Sequence, residues 1–400
     1  MTVPFFRPTI TEAEIEAVVA CLRSGWLTTG GVTREFEREF AAYVGAKHAV
    51  ALNSCTAALH LALEAVGLRR GDLVLVPTMT FAATAEVVRY FDAIPVFVDC
   101  DPVTQCIDVA AVRRTIDALK ESRPVAGLAP PYGELRAIIP MHYGGQMADV
   151  DGIRALATKY RLSVIEDAAH TLPAFTRSDA ESPWRSVGTT ADITCFSFYA
   201  NKCITTGEGG MAVTDDEALA DRMRLMSLHG MSKDAWKRYT AAGSWYYEIV
   251  APGFKYNLTD IASALGRVQL ARANALWSER RRVAKALQGA LSGIAGIELP
   301  QEQPDRQHAW HLFSIRLDLG VWTIGRDAFI DGLKERGIAT SVHWMPLHMQ
   351  PYYRETYGIG PGEFPVAAGL WPRLVSLPLF PGMTEDDVGA IAAAIRSLDR

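Results

Sequence analysis

Lys202 follows an apolar run, in the stretch Phe196-Ser197-Phe198-Tyr199-Ala200-Asn201-Lys202, and precedes Thr205-Thr206-Gly207-Glu208-Gly209-Gly210. Upstream, Leu162-Ser163-Val164-Ile165 ends in Glu166-Asp167. A lysine and an acid, each at the end of an apolar strand-like segment, suit pyridoxal phosphate chemistry. The lysine would hold the cofactor aldehyde as a Schiff base. The acid, Asp167, would keep the pyridine nitrogen protonated so that the ring accepts electrons. Most lysines lie on surfaces, but this one follows a buried-looking run inside a Gly-rich segment. A free lysine titrates at about 10.4; desolvation and a nearby cation lower that value and keep a Schiff-base lysine reactive. Asp167 could also be a helix cap or a metal ligand. A buried carboxylate is costly unless paired, and a pyridinium would be its partner.

The other parts of such a site occur in order. Asn53-Ser54-Cys55-Thr56-Ala57-Ala58-Leu59-His60 follows an apolar segment and opens a helix. Hydroxyls and free amides at a helix start make an anion site, here from Ser54, Cys55 and Thr56. A plain helix N-cap would read the same way, and the dipole alone gives only about 0.3–1 kcal/mol. Phe81, after the next strand, offers a flat apolar face for a ring to stack on; a core aromatic is the alternative. His170, three residues past Asp167, could hydrogen-bond the ring hydroxyl. Ser197 adds a phosphate donor. No His-Glu-x-x-His or comparable spacing occurs, so zinc is not expected.

The elements that must position these residues show in the periodicity. Thr11-Glu12-Ala13-Glu14 is a capping box, with Ile10 and Ile15 placed for a hydrophobic staple. From about residue 50, strand candidates at Leu73–Val76, Pro95–Val98, Ala137–Ile139, Leu162–Ile165, Ile193–Phe198 and Met211–Val213 alternate with amphipathic helices. That pattern implies an α/β fold, a mainly parallel sheet sandwiched by helices. Ligands of such sheets lie beyond the carboxyl ends of strands, where Asp167 and Lys202 fall. A long helical pattern from Leu258 to Leu291 bridges to a smaller C-terminal α+β domain, with strands at His311–Leu317 and Ala339–Trp344. The expected division is residues 1–258 for the large domain and 259–400 for the bridging helix and small domain. Glu121–Glu134 and Thr176–Gly188 read as surface loops.

Bulk properties exclude several classes. The chain has 400 residues and a net charge of −5, with no long basic block, so neither nucleic acid nor an anionic membrane surface is an expected partner. No apolar run approaches membrane-spanning length, and the first residues lack a signal-peptide pattern. The six cysteines form no Cys-x-x-Cys pair, which suits a reducing cytoplasm.

Over nearly its whole length the chain resembles the DegT–StrS family of sugar aminotransferases. The matching segments are Gly25–Gly30, Thr56–Leu63, Pro95–Asp99, Glu166–His170, Ser197–Lys202 with Thr206–Gly210, Lys255–Asp260 and Ser341–His348. The resemblance implies the type I fold of pyridoxal phosphate enzymes. It implies Lys202 as Schiff-base lysine and proton shuttle, Asp167 on the pyridine nitrogen, Phe81 stacked on the ring and His170 at its hydroxyl. Ser54, Cys55, Thr56 and Ser197 would surround the phosphate. Asn257 would reach the phosphate of a neighbouring subunit, in a homodimer with shared active sites. Cys55 stands where many members have Gly or Ala, and the loop around Pro183-Trp184-Arg185 is hard to align with the family. A branch that has lost the lysine dehydrates its substrate, and Lys202 argues against it.

The expected reaction moves an amino group from glutamate to a nucleotide-linked keto-sugar, giving an amino-sugar and 2-oxoglutarate. The stretch His229–Trp236 is similar to members that aminate C4 of UDP-4-keto-sugars; a 3-keto-sugar is the alternative within the family. His229 and His343 are candidate substrate contacts. Two readings of other classes compete: a regulatory protein with this fold and no turnover, and a cysteine desulfurase using Cys55, Cys195 or Cys203. The intact lysine–acid pair disfavours the first, and the absence of a recognisable mobile cysteine loop the second.

Overall fold

Short aliphatic runs that end in polar residues form the strands, and capped amphipathic segments form the helices between them. The structure, a computed structural model, describes residues 2–231 and 246–398. The chain opens with α1 (Glu12–Ser24) and α2 (Gly31–Val44). It continues through β1 (His48–Leu52), α3 (Cys55–Ala65), β2 (Leu73–Pro77), α4 (Ala82–Arg89) and β3 (Ile94–Val98). Next come α5 (Val109–Lys120), β4 (Leu135–Ile138), α6 (Val150–Tyr160) and β5 (Ser163–Asp167). A small hairpin, β6 (Phe175–Thr176) and β7 (Arg185–Ser186), precedes β8 (Ile193–Ser197), β9 (Gly210–Thr214) and α7 (Glu217–Ser227).

Further along the chain come α8 (Asp260–Ala271) and α9 (Ala273–Leu291). Strands β10 (Ile297–Glu298), β11 (Arg306–Gln307) and β12 (Phe313–Leu317) follow. The chain closes through α10 (Arg326–Glu335), α11 (Pro351–Tyr357), α12 (Pro365–Leu370), β13 (Leu374–Leu377) and α13 (Glu385–Arg396).

The central sheet has seven strands in the order β1-β9-β8-β5-β4-β2-β3. The pairs from β3 through β8 are parallel, while β9 runs antiparallel to both β8 and β1. The fold is therefore mixed α/β with a mainly parallel sheet, as the alternation implied. Register places Asp167 opposite Cys195 and Ser197 opposite Gly210. The polar ends of β5 and β8 thus share one edge. Helix α3 packs across β8 and β9 with Leu59, Leu61 and Leu63 fully buried. Burial of such a side chain contributes about 1.5–3 kcal/mol, which anchors the start of α3 over the same edge. A second core joins α9, α10 and α13 to the antiparallel sheet β10-β12-β13, through Val283, Leu287, Phe313, Phe329, Val375 and Ile391.

Several local expectations are corrected. The continuous helix over Leu258–Leu291 is two helices broken at Arg272. Residues 339–344 form no strand; only Ser341 makes a bridge, to Ser376 of β13, a strand the sequence pattern missed. Ile10 and Ile15 are exposed, so no staple closes over the α1 cap, although Glu14 does accept from the Thr11 amide at 2.8 Å. The expected loop at Thr176–Gly188 contains the β6–β7 hairpin, which β11 extends to three strands. Among the described residues no helix is long and apolar enough to cross a membrane.

Candidate active site

Asp167 is the last residue of β5 and is buried at 3 % exposure. Its Oδ2 accepts from Thr84 Oγ1 at 2.7 Å and its Oδ1 from the Ala169 amide at 3.1 Å. Thr84 lies in the first turn of α4, and its hydroxyl is 2.6 Å from that of Thr80. Since Thr84 donates to Asp167, Thr80 donates to Thr84. Burial pushes the Asp167 carboxyl above its usual range, while these bonds and the Lys202 charge pull it down. Among the described residues no cation lies within ion-pair distance of it.

Lys202 lies in the turn after β8, its amide donating to the Tyr199 carbonyl at 2.9 Å. The residue is half-buried. Burial lowers its amine below the ordinary lysine range, and the nearby Asp167, Cys55 and Cys203 act in the opposite direction. A half-desolvated amine facing a buried carboxylate can exist neutral and accept protons.

The start of α3 comes to the same edge. Ser54 caps it, its Oγ accepting from the Ala57 amide at 3.1 Å. Cys55 and Thr56 are the first two helical residues, so their amides have no carbonyl partner within the helix. The start of β9 presses against this turn: a Cβ on Gly210 would sit 2.4 Å from the Ser54 carbonyl carbon and 2.5 Å from the Cys55 nitrogen. Ser197, paired with Gly210, is therefore beside the same turn, and its Oγ accepts only a long 3.4 Å bond from Tyr199 N. Free amides flanked by hydroxyls suit an anion.

His170 is buried, and its Nδ1 accepts from the Gly144 amide at 3.2 Å. That bond puts the proton of the neutral ring on Nε2. Burial, then the charge of Lys202, holds His170 well below its usual range. Trp344 stacks on it with centroids 5.1 Å apart and also lies 6.3 Å from the Phe81 ring. Phe81 itself is 57 % exposed; the alternative that it is a core aromatic is therefore excluded.

His343 is half-buried, with Nδ1 2.8 Å from Ser376 Oγ and its ring stacked on Phe5 at 5.8 Å. Burial and the Lys202 charge lower it to about 4. Ser376 Oγ is 2.9 Å from Ser314 Oγ, and Tyr143 donates to the His343 carbonyl. The small antiparallel sheet thus orients the His343 ring.

Two expected residues stand elsewhere. His229 is exposed in a turn with φ +58°, its amide donating to the Phe254 carbonyl at 2.7 Å; Ser232–Trp236 of its motif lie outside the described residues. Asn257 bridges to Leu52, and its Nδ2 donates to Thr29 Oγ1 at 2.6 Å. Thr84, Tyr143 and His311, whose ring centroid is 4.3 Å from that of His170, were not singled out from sequence. Thr80 precedes the Phe81 cap and Thr84 lies within α4, so no helical spacing in the sequence marks the pair.

These side chains fit pyridoxal phosphate: a buried carboxylate lacking a cation, a depressed amine, an exposed aromatic face and a set of free amides. Fold and site together define an enzyme of the pyridoxal phosphate-dependent sugar aminotransferase class. More narrowly, the chain belongs to the DegT/DnrJ/EryC1/StrS aminotransferase family, whose sequence profile matches residues 8–396. It is 43 % identical over 396 residues to the spore coat polysaccharide biosynthesis protein SpsC of Bacillus subtilis, covering 99 % of this chain and 96 % of that protein. The putative sugar aminotransferase Spr1654 of Streptococcus pneumoniae, in its PLP form, superposes with a TM-score of 0.87 at 30 % identity, covering 99 % and 98 % of the two chains. DesI, solved in the presence of its TDP-sugar product, gives a TM-score of 0.81 at 28 % identity, covering 99 % and 92 %.

Proposed function

We propose that the enzyme moves an amino group from glutamate to a nucleotide-linked keto-sugar, releasing 2-oxoglutarate, with C4 of a UDP-4-keto-sugar as the position aminated. The observation that carries this reading is Lys202, in the turn after β8, near a buried Asp167 carboxylate at the end of β5 that has no ion-pair partner among the described residues. When bound, pyridoxal phosphate supplies an aldehyde that condenses with amines and a ring that stores the electron pair left by a departing proton. Asp167 holds the ring nitrogen, Phe81 supplies one face and His170 offers its Nε2 proton to the ring hydroxyl. Ser54, Cys55, Thr56 and Ser197 hold the phosphate. Lys202 Nζ removes the proton from the α-carbon of glutamate and, in the second half, delivers one to the former keto carbon of the sugar.

His343, neutral and oriented by Ser376, contacts a sugar oxygen through its ring; His229 reaches the substrate from the exposed turn. Asn257 completes the phosphate site of a second copy, which makes the working unit a homodimer. The nucleotide-linked class of the substrate draws support from the TDP-sugar product named for DesI; the choice of C4 on a UDP-sugar draws support from the resemblance of the His229 segment to C4 aminating enzymes.

The test incubates purified, cofactor-loaded enzyme with glutamate and a panel of UDP- and TDP-linked 3-keto- and 4-keto-sugars. The expected outcome is 2-oxoglutarate released in equal amount to a 4-amino UDP-sugar. Amination of the 3-keto compounds alone would move the assignment to that carbon. No 2-oxoglutarate with any acceptor would remove glutamate as donor.

A further inference from the structure

Arg280 lies in the middle of α9 and is 5 % exposed. Four residues earlier Leu276 packs in the core beneath β8 and β9; three residues later Val283 packs in the second core. The guanidinium therefore sits where the two bodies meet. A buried cation is costly without an acid partner, yet among the described residues no carboxylate lies within ion-pair distance of it. The neighbouring Arg272, by contrast, is paired with Glu14.

The contacts of Arg280 are main-chain carbonyls. Nη2 donates to the carbonyl of Lys202 at 3.4 Å, and Nη1 donates to those of Trp310 at 3.4 Å and Leu379 at 3.3 Å. Its Nε is buried without a partner. Trp310 lies three residues before β12 and Leu379 two residues after β13, so two of the three acceptors flank strands of the small antiparallel sheet. The third is the residue that carries the amine. Bonds of this length are individually weak, and a neutral aliphatic side chain would fill the space at lower desolvation cost. What only a guanidinium supplies is a planar fork with five donors, able to join three carbonyls from separate segments.

We propose that Arg280 is a positioning residue for the transamination, tying the main chain of Lys202 to the strands that orient His343. Placement of the amine and placement of the small sheet then change together. The inference rests on Lys202 being the lysine that bonds the cofactor, so borohydride reduction and peptide mapping of the parent enzyme come first. A pyridoxyl mark on another residue removes that reading, independently of anything measured on Arg280.

With the mark on Lys202, the test compares full-length Arg280→Met and Arg280→Lys with the parent. Hydrogen exchange is followed in the peptides covering residues 199–205 and 376–381, with and without cofactor. Arg280→Met is expected to speed exchange in both peptides and leave the rest of the chain unchanged. Its kcat falls about 10- to 100-fold, the loss associated with a small misplacement of a reacting group, while the KM for glutamate stays within about threefold of the parent, as expected when ground-state binding is untouched. Arg280→Lys, with one point charge, recovers part of both effects. Parent-like exchange at 199–205, or a uniform rise along the chain in step with a lower Tm, would overturn the proposal. Should Arg280→Met fail to fold, Arg280→Lys alone decides: parent-like exchange and kcat refute the role, and a local change at 199–205 with reduced kcat supports it.

Discussion

Thr84 Oγ1 donates to Asp167 Oδ2 at 2.7 Å, so the carboxylate at the end of β5 is held by a hydroxyl from the first turn of α4. The bond favours the charged carboxylate against a burial that disfavours it. Thr84→Val keeps the shape and removes the donor. The Asp167 carboxyl then rises further, because a group that stabilised its ionised form is gone. The acid limb of the activity profile should move to higher pH, and the loss of a buried bond to a charged group should weaken cofactor retention by about 1.5–3 kcal/mol. A kcat–pH titration with a cofactor dissociation measurement checks both; an unshifted acid limb contradicts the role.

Lys202→Ala removes the proton-transferring amine while leaving the phosphate turn at α3 intact. Turnover should drop by roughly 10³-fold or more, given what a positioned acid–base group contributes. The protein should still bind pyridoxal phosphate without a covalent bond. Normal amination by this variant would refute the assigned role.

Asp167→Asn replaces the charged acceptor by a neutral amide in the same buried position. The ring nitrogen then loses its ionic partner, and proton removal from glutamate should slow together with weaker cofactor retention. Stopped-flow measurement of the glutamate half-reaction decides; rates equal to the parent would rule out the pairing.

Acid should unfold the protein through its buried histidines. Burial lowers His60 to about 4 and His308 to about 3, against 6.5 unfolded. Both groups therefore bind protons in the unfolded chain first. Their contribution is complete above pH 6.5 and is lost as pH falls towards 4 and then 3. At full loss these correspond to on the order of 3 kcal/mol for His60 and about 5 kcal/mol for His308. Glu14, lowered to about 2 with the bonds from Thr11, Arg272 and Gln269 outweighing its burial, adds a loss in the same direction below pH 4.5. Urea unfolding at pH 7.5, 6 and 5 should show stability falling throughout, and His60→Phe should flatten the slope; a slope unchanged by that substitution would exclude His60 as a contributor.

Lys202, Asp167 and the α3 start were legible in sequence for one reason: each is a polar group at the boundary of an apolar run, and boundaries of parallel strands gather at one edge. Other features depended on tertiary contacts that no local pattern records. The break at Arg272 has no Gly or Pro to mark it, and the helical periodicity continues across it; the break lets Arg272 reach Glu14 of α1. The segment 339–344 alternates like a strand, but Val342 and Trp344 are turned to the main core and only Ser341 pairs. Trp344 consequently faces His170 instead of lying in a ladder. Strand β13, four residues long and directly after a Pro-containing turn, was too short for its alternation to stand out.

Asp260 joins two of the recognisable sequence segments. The residue is buried at 2 % exposure in the first turn of α8, and its Oδ1 accepts from Gly30 N at 2.7 Å, Thr33 N at 2.9 Å and Thr33 Oγ1 at 2.6 Å. Its Oδ2 accepts from Val32 N at 3.2 Å. The carboxylate thus caps α2 from 230 residues away in sequence, where the helix N-terminus favours negative charge. A Cβ at Gly30 would lie 2.7 Å from Asp260 Oδ2, so the close approach needs glycine. Thr29, next to Gly30 in the chain, accepts from Nδ2 of Asn257, the residue proposed to reach a second copy, at 2.6 Å. Asp260→Asn retains at most part of this acceptor set and places amide hydrogens against backbone donors. It should cost about 2–4 kcal/mol of stability, as for breaking a buried charged hydrogen-bond network. Because Asn257 is displaced with Thr29, the variant should also dissociate to single chains at concentrations where the parent stays paired. Chemical unfolding and sedimentation at matched concentrations check the two effects separately. Loss of stability with unchanged association would show that Asp260 serves the fold alone.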